Sequence, residues 1–355
     1  YKRQLKGRLL KVVNVLPNDM QKWVVFLTKK RADFLHRKAW QSYMRQFDLV
    51  VFGGGALLMD NNWSFPLALH NLSRSVRAVH GRYVCIGCST GRHFSKRGRR
   101  WLKEFLDHAE YISLRDSNSM EGLHRIGDYD AEVHVDSALI TAALMPDLAV
   151  PDPHVLGLNI MSPVRHPTLT PKVYGSYLDE MASFIELVAT DKSNHWNRIV
   201  VFTTGAERDH AAASALVERP QVRAAGIKVE LVEAPGCLEE LCTTIAGCGL
   251  VISSRMHAGI LAKSYGRPLI PLGWDEKVRG FCDAIGIGDS FMDIQSFSAE
   301  ELLARVSGIV NANMLQPDEV PACVSALERL PERLEQVARH TKEKRANGSD
   351  PTRVH

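Results

Sequence analysis

Arg255 and His257 stand two residues apart, with Met256 between them, just past the apolar run 250–252. An arginine fork binds carboxylate or phosphate oxygens bidentately, and an imidazole titrates near neutral pH. Together they can hold an anion and move a proton beside it. Lys277 follows a second apolar run, 268–272, and Arg115 follows a third, 111–114. Three fixed cations and one titratable ring suit a substrate with more than one negative charge. Gly53, Gly54 and Gly55 close a fourth run, 48–52; glycines there admit positive φ and let a ligand approach backbone amides. Asp60, Asn159 and Arg165 are further substrate-binding candidates by location. Asp60 follows the glycines, and the other two follow the first strand of a second αβ series. No carboxylate or histidine partners recur at ligand spacing, so no metal is expected.

Each of these residues follows a short apolar run and precedes a helical pattern. The region 250–281 reads strand, helix, strand, helix, with Gly266 and Pro268 stopping the first helix. That alternation predicts parallel sheets, in which polar chemistry gathers at the carboxyl ends of strands. In chain order, the pattern predicts a helix over 2–16, a strand over 23–27, a helix over 31–46 and a strand over 48–52. Strands over 82–87, 111–114 and 131–135 follow. Pro146, Pro151 and Pro153 then mark a linker. A second series runs through strands 155–160, 199–202 and 229–232 to the central motif, and the chain becomes more helical after Phe291. The resulting division is 1–150, 151–310 and a C-terminal part, 311–355, of helices and a polar tail. The fold class is α/β, two facing Rossmann-like doubly wound domains with the site expected between them.

The chain has 355 residues, 45% of them hydrophobic and 24% charged. These values describe a globular protein with room for two cores. No apolar run approaches the ~18–20 residues that cross a bilayer. A net charge of +4 is too mild to argue for nucleic acid. The run 92–103 nevertheless holds Arg92, Lys96, Arg97, Arg99, Arg100 and Lys103. Such a run is either a solvated helix face or a peripheral contact with an anionic membrane surface. Seven cysteines without framework spacing suggest reduced thiols and a cytoplasmic location. Cys85 and Cys88 make a Cys-x-x-Cys pair, read as small buried thiols at a strand end in preference to a redox pair or half a metal site.

Taken together, the motifs resemble the polysaccharide pyruvyltransferase family. They are DLVVFGGGALLMD at 48–60, ISLRDSNS at 112–119, DSA at 136–138, SRMHAGILA at 254–262, GRP at 266–268 and DEKVRGF at 275–281. They occur in the family's order. Two features depart from it: Met256 replaces a usual Leu, and the family's glycine-rich turn after a first strand is missing from this sequence. Trimming is the expected reason.

The resemblance implies a GT-B-like fold. It also implies transfer of pyruvate from phosphoenolpyruvate to two hydroxyls of a sugar, in a polysaccharide or its lipid-linked precursor. The product is a cyclic ketal, phosphate is released, and no cofactor is needed beyond phosphoenolpyruvate as co-substrate. Arg115, Arg255 and Lys277 would clamp the donor, and His257 would move protons. Two other readings stay open: a glycosyltransferase of similar fold using a nucleotide-sugar, and a non-catalytic glycan-binding protein.

Overall fold

The computed structural model describes residues 18–60, 63–162, 171–191, 195–273 and 276–312, with scattered positions between 327 and 339. The helix expected over 2–16 lies outside the described residues. Two compact units make up the chain: one reaches Ser137 and includes the C-terminal part from Ser325, and the other spans Ala138–Val324.

Among the described residues the first unit opens on helix α1 (Asn18–Met44), then alternates β1 (Val50–Leu58), α2 (Ser64–Arg77), β2 (Tyr83–Thr90), α3 (Lys96–Leu106), β3 (Ile112–Leu114), α4 (Ser119–Ile126) and β4 (Glu132–Val133). The strands form one parallel sheet in the order β1-β2-β3-β4. Six of the eight residues of β2 are buried, because helices cover both faces of a parallel sheet. Its core joins Phe52, Leu58, Tyr83, Leu102, Phe105, Leu114 and Leu123. Here the expected strand over 23–27 is corrected: Trp-Val-Val-Phe-Leu forms part of α1. A five-residue apolar run fits either state, and the helix won because it sets Phe26 against Trp101 of α3, the rings stacked with centroids 6.2 Å apart.

A second correction concerns the glycines. The sequence pattern put a turn at 53–55, but β1 runs on to Leu58, and Gly55 pairs with Cys88. Gly54 (φ 79°) and Gly55 (φ 71°) take left-handed backbone without ending the strand, and the register shifts just after them, between Gly55 and Leu58.

The second unit contains α5 (Thr141–Leu144), β5 (Asp152–Asn159), α6 (Pro171–Thr190), β6 (Arg198–Phe202), α7 (Glu207–Val217), α8 (Pro220–Arg223), β7 (Lys228–Leu231), α9 (Leu238–Ala246), β8 (Cys248–Ser253), α10 (Met256–Ser264), β9 (Leu269–Gly273), α11 (Glu276–Ala284), β10 (Met292–Asp293) and α12 (Ala299–Asn311). All six strands are parallel, in the order β10-β9-β8-β5-β6-β7. After β5 the chain builds outward through β6 and β7, then returns to lay β8 on the other side of β5. The carboxyl ends of β5 and β8 therefore flank the topological switch point, where such sheets hold ligands.

The division falls earlier than residue 150. Residues after Ser137 belong to the second unit, because the Ala142 N–H donates to Ser264 Oγ at 2.9 Å and the Tyr265 hydroxyl to the Met145 carbonyl at 3.0 Å. Near the C-terminus, Leu330 and Leu334 pack on Val84, Ile86 and Tyr111 of the first unit, so the tail segment is no independent third part. No helix of the described residues is long and apolar enough to cross a membrane.

Candidate functional site

In the second unit the candidate site is the turn from β8 into α10. The stop expected for α10 is present: Gly266 takes φ 65°, its N–H donates to Lys263 O, and the Arg267 N–H reaches Ala262 O. Seven of the nine residues of α10 are buried, so the helix is fixed in place and its N-terminus is aimed by packing. Met256 and His257 open that helix. His257 is exposed and makes no hydrogen bond among the described residues.

Asn159, 1% exposed at the end of β5, holds the turn from below. Its Oδ1 accepts the Arg255 N–H at 2.9 Å, its carbonyl accepts the Ser254 N–H at 3.2 Å, and its Nδ2 donates to Phe202 O at 3.4 Å. Asn159 therefore acts as the brace of the turn, with its amide already committed to protein atoms. Ser253 Oγ donates to Arg255 O at 2.7 Å, and the buried Tyr177 hydroxyl lies 2.9 Å from Ser254 Oγ. Burial pushes the Tyr177 phenol above its ordinary range, so it serves as a neutral hydrogen-bonding group.

The residue that sequence reasoning missed is Asp209. It sits in the first turn of α7, fully buried. Its Oδ2 accepts Arg255 Nε at 2.9 Å and its Oδ1 accepts Nη2 at 2.7 Å. Oδ1 also accepts the Ser162 N–H at 2.9 Å. This bidentate fork fixes the plane of the guanidinium, which keeps 23% of its side-chain surface exposed. An aspartate early in a helix reads as ordinary N-terminal charge, and only its position beyond β6 at the sheet's carboxyl edge pointed to the site. Lys277 lies in the first turn of α11, with its side chain outside the described residues, and Arg165 lies wholly outside them.

The first unit has its own polar edge. Arg115, 8% exposed after β3, donates from Nη1 to Asp136 Oδ2 at 2.9 Å and from Nε to Ser89 Oγ at 2.5 Å. Ser89 in turn donates to Asp116 Oδ2 at 2.8 Å, and Asp116 Oδ1 accepts the Ser119 N–H at the start of α4 at 2.8 Å. Arg115 thus ties three segments together, and Asp116 is reached through Ser89. Around Gly54 and Gly55 there is open space: a Cβ at either would meet nothing within 4 Å.

Asp60 is engaged structurally. Its Oδ2 accepts both the N–H and the hydroxyl of Ser95, each at 2.7 Å, at the N-terminus of α3. Gly98 must be glycine there, since a Cβ would come 2.1 Å from that carboxylate. Cys85 and Cys88 are buried with sulfurs 3.5 Å apart. A positive φ of 58° at Gly87 disturbs the strand alternation between them. The hydrogen bond from Cys85 pulls the Cys88 thiol down, helped by the Arg115 charge, while Cys85 as donor is pushed up. Among the described residues no group of three or more His, Cys, Asp or Glu can hold a metal.

The fold recurs in solved sugar-nucleotide and sugar-phosphate proteins. The UDP co-structure of MnaA from S. aureus matches with a TM-score of 0.54 at 11% identity, over 88% of this chain and 82% of that one. UDP-GlcNAc 2-epimerase from Neisseria meningitidis, bound to UDP-GlcNAc, matches with a TM-score of 0.51 at 11% identity, over 87% and 82%. The α,α-trehalose 6-phosphate synthase of Burkholderia multivorans gives 0.51 at 9% identity, over 93% and 78%. These likenesses establish a GT-B-like α/β fold. In sequence, amylovoran biosynthesis protein AmsJ of Erwinia amylovora is 29% identical over 72 residues, 20% of this chain. The matching segment spans 17% of that relative's length. The family model for polysaccharide pyruvyl transferase matches residues 3–276, which takes in both polar edges and the motifs from 48–60 to 266–268, and ends one residue before Lys277. The chain belongs to the polysaccharide pyruvyl transferase family.

Proposed function

We propose that the protein transfers pyruvate from phosphoenolpyruvate to two hydroxyls of one sugar in a polysaccharide or its lipid-linked precursor, giving a cyclic ketal and phosphate. The observation that carries this reading is the β8–α10 turn. There an arginine fixed by a buried aspartate and an exposed histidine share a helix start at the switch point of a parallel sheet. The exposed part of the Arg255 guanidinium and the amides of the first α10 turn suit the donor's carboxylate and phosphate. Lys277 adds a second cation to the same role.

His257 delivers a proton to the methylene carbon of the donor, which leaves an oxocarbenium-like centre at C2. A sugar hydroxyl adds there and gives up its proton. Expulsion of phosphate regenerates the cationic centre, and the second hydroxyl closes the ketal, its proton leaving to base. Atoms balance as donor plus diol giving ketal plus phosphate, with no oxidant, metal or cofactor in the scheme. Arg115 supports the first unit's edge through Asp136 and Ser89, beside the open backbone of Gly54 and Gly55 that suits the acceptor. The cytoplasm supplies phosphoenolpyruvate, and a lipid-linked acceptor would bring the enzyme to the inner face of the membrane.

A second reading rests on the solved proteins of similar fold that hold UDP or UDP-GlcNAc: a nucleotide-sugar donor. Melting temperature measured with phosphoenolpyruvate and with UDP- and GDP-sugars separates the two, because only a ligand of the folded state stabilises it. A rise with phosphoenolpyruvate that Arg255→Ala abolishes supports pyruvyl transfer. A rise only with nucleotide-sugars overturns it.

A further inference from the structure

The first unit carries a surface that the chemistry above does not use. Along α1, Met20, Trp23 and Leu27 recur at helical spacing and are 52, 51 and 61% exposed. One helix face therefore turns a line of large apolar side chains to water. Beside it, Arg97 of α3 lies among three rings, its Cζ 5.4 Å from the centroid of Trp23, 5.8 Å from Phe26 and 5.1 Å from Trp63. Trp63 holds φ 65°, a left-handed backbone that bulky residues rarely adopt. Its indole N–H donates to Ser95 Oγ at 2.8 Å, so the ring is locked under Arg97.

Exposed basic side chains gather around this line. Lys30 and Arg31 follow Leu27 on α1, and Lys96 and Arg100 flank Arg97 on α3, all of them exposed. The acidic neighbours are occupied elsewhere: Asp33 pairs with Arg37, and Glu104 lies between His70 and Arg77. We propose that the α1–α3 face docks on an anionic lipid bilayer. Met20, Trp23 and Leu27 enter the boundary between headgroups and acyl chains, and Lys30, Arg31, Lys96 and Arg100 meet the lipid phosphates. A tryptophan beside basic side chains suits that boundary, where one end of the residue is apolar and the other wet. A second copy of the chain fits poorly, because a two-fold contact through this face would set basic rim against basic rim. The inference rests on the proposed lipid-linked acceptor for its purpose, and its test does not need that reaction.

The full chain is sedimented with vesicles of phosphatidylcholine alone and of phosphatidylcholine with phosphatidylglycerol. The expected result is binding to the anionic vesicles only, reversed by raised salt. Lys96→Ala with Arg100→Ala should lower the partition coefficient about 25-fold, about fivefold for each charge removed. Trp23→Ala with Leu27→Ala should reduce binding to background. Because Trp23 also packs against Arg97, Phe26 and Trp63, Leu27→Ala alone, 61% exposed, should weaken binding with an unchanged melting temperature. No binding at low salt, equal binding to both vesicles, or binding indifferent to both double variants overturns the proposal. Self-association without vesicle binding, lost in the Trp23 and Leu27 variant, assigns the face to a second copy and also overturns it. Pyruvyl transfer to a water-soluble acceptor, run alongside, keeps the two readings apart: both double variants retain it, and absence of transfer with intact vesicle binding counts against the function alone.

Discussion

Each unit ends one of its parallel strands in an arginine held by an aspartate from another element. Arg115 follows β3 and pairs with Asp136 at 2.9 Å; Arg255 follows β8 and pairs with Asp209 at 2.7–2.9 Å. Their surroundings differ. Arg115 has 7% of its side chain exposed and turns its Nε inward to Ser89. Arg255 has 23% exposed, and the chain continues from it into an exposed histidine at a helix start. Covered on all sides, an arginine–aspartate pair ties segments together. Left partly open, the same pair orients a charge that a ligand can use. Breaking a covered pair should therefore cost stability first, and loosening an open one should cost turnover first.

The largest effect is expected at His257. His257→Ala should lower kcat by about 10²–10⁴-fold, the range for loss of a general acid or base. Its melting temperature should match the parent, because the side chain is exposed and makes no hydrogen bond or ion pair among the described residues. A normal rate in this variant removes the chemical half of the comparison. Next comes Asp209→Asn, which keeps the shape at Arg255 and weakens the fork. A misaimed clamp should cost on the order of 10²-fold in turnover, and a loss confined to stability would make Asp209 no different in kind from Asp136.

Arg115→Ala should act mainly on the fold. Removing one partner of a buried pair costs about 3–5 kcal/mol, which for a unit of this size is a fall of roughly 6–20 °C in Tm. Intact stability with lost activity would place Arg115 among the residues that meet substrate. A smaller loss, about 1–3 kcal/mol, is expected for Asn159→Ala, which leaves the N–H of Arg255 without its acceptor; heat and turnover should both report it.

The smallest effect is a pH dependence confined to the first unit. Burial holds His70 below its ordinary value of 6.5, against the pull of Glu104. The unfolded chain therefore takes up this proton first as pH falls. The contribution of neutral His70 is whole above about 6.5 and fades below it. Melting curves from about pH 7.5 to 5 should show that decline, and His70→Gln should reduce it, leaving the share of His108, which burial also holds low.

Much of the arrangement was readable because it is local. The apolar runs at 82–87, 155–160 and 250–252 have the period and length of buried strands, and Gly266 with Pro268 announces the end of α10. Misreadings arose where a run fits two states. The stretch 23–27 is long enough for a strand and too short to exclude a helix, and packing against α3 settled it. The glycines at 53–55 have turn chemistry, yet pairing with β2 kept them inside β1.

The site divides in the same way. Residue type and place after a strand singled out Arg115, Arg255 and His257 as candidates, because a cation or an imidazole at a strand's carboxyl end can meet a ligand. Sequence also determined the alternating αβ pattern and the family. The tertiary structure decided what each residue is free to do. Asp209 lies 46 positions from Arg255, and no short-range pattern links two residues that far apart. Asn159 and Asp60 are ligand candidates by location, and the fold sets Asn159 Oδ1 on the Arg255 N–H and Asp60 Oδ2 on the N–H and hydroxyl of Ser95. The physical reason is that hydrogen-bonding capacity is allotted in space: a side chain's chemistry is written in its type, but whether it is available depends on which distant groups the fold brings within reach.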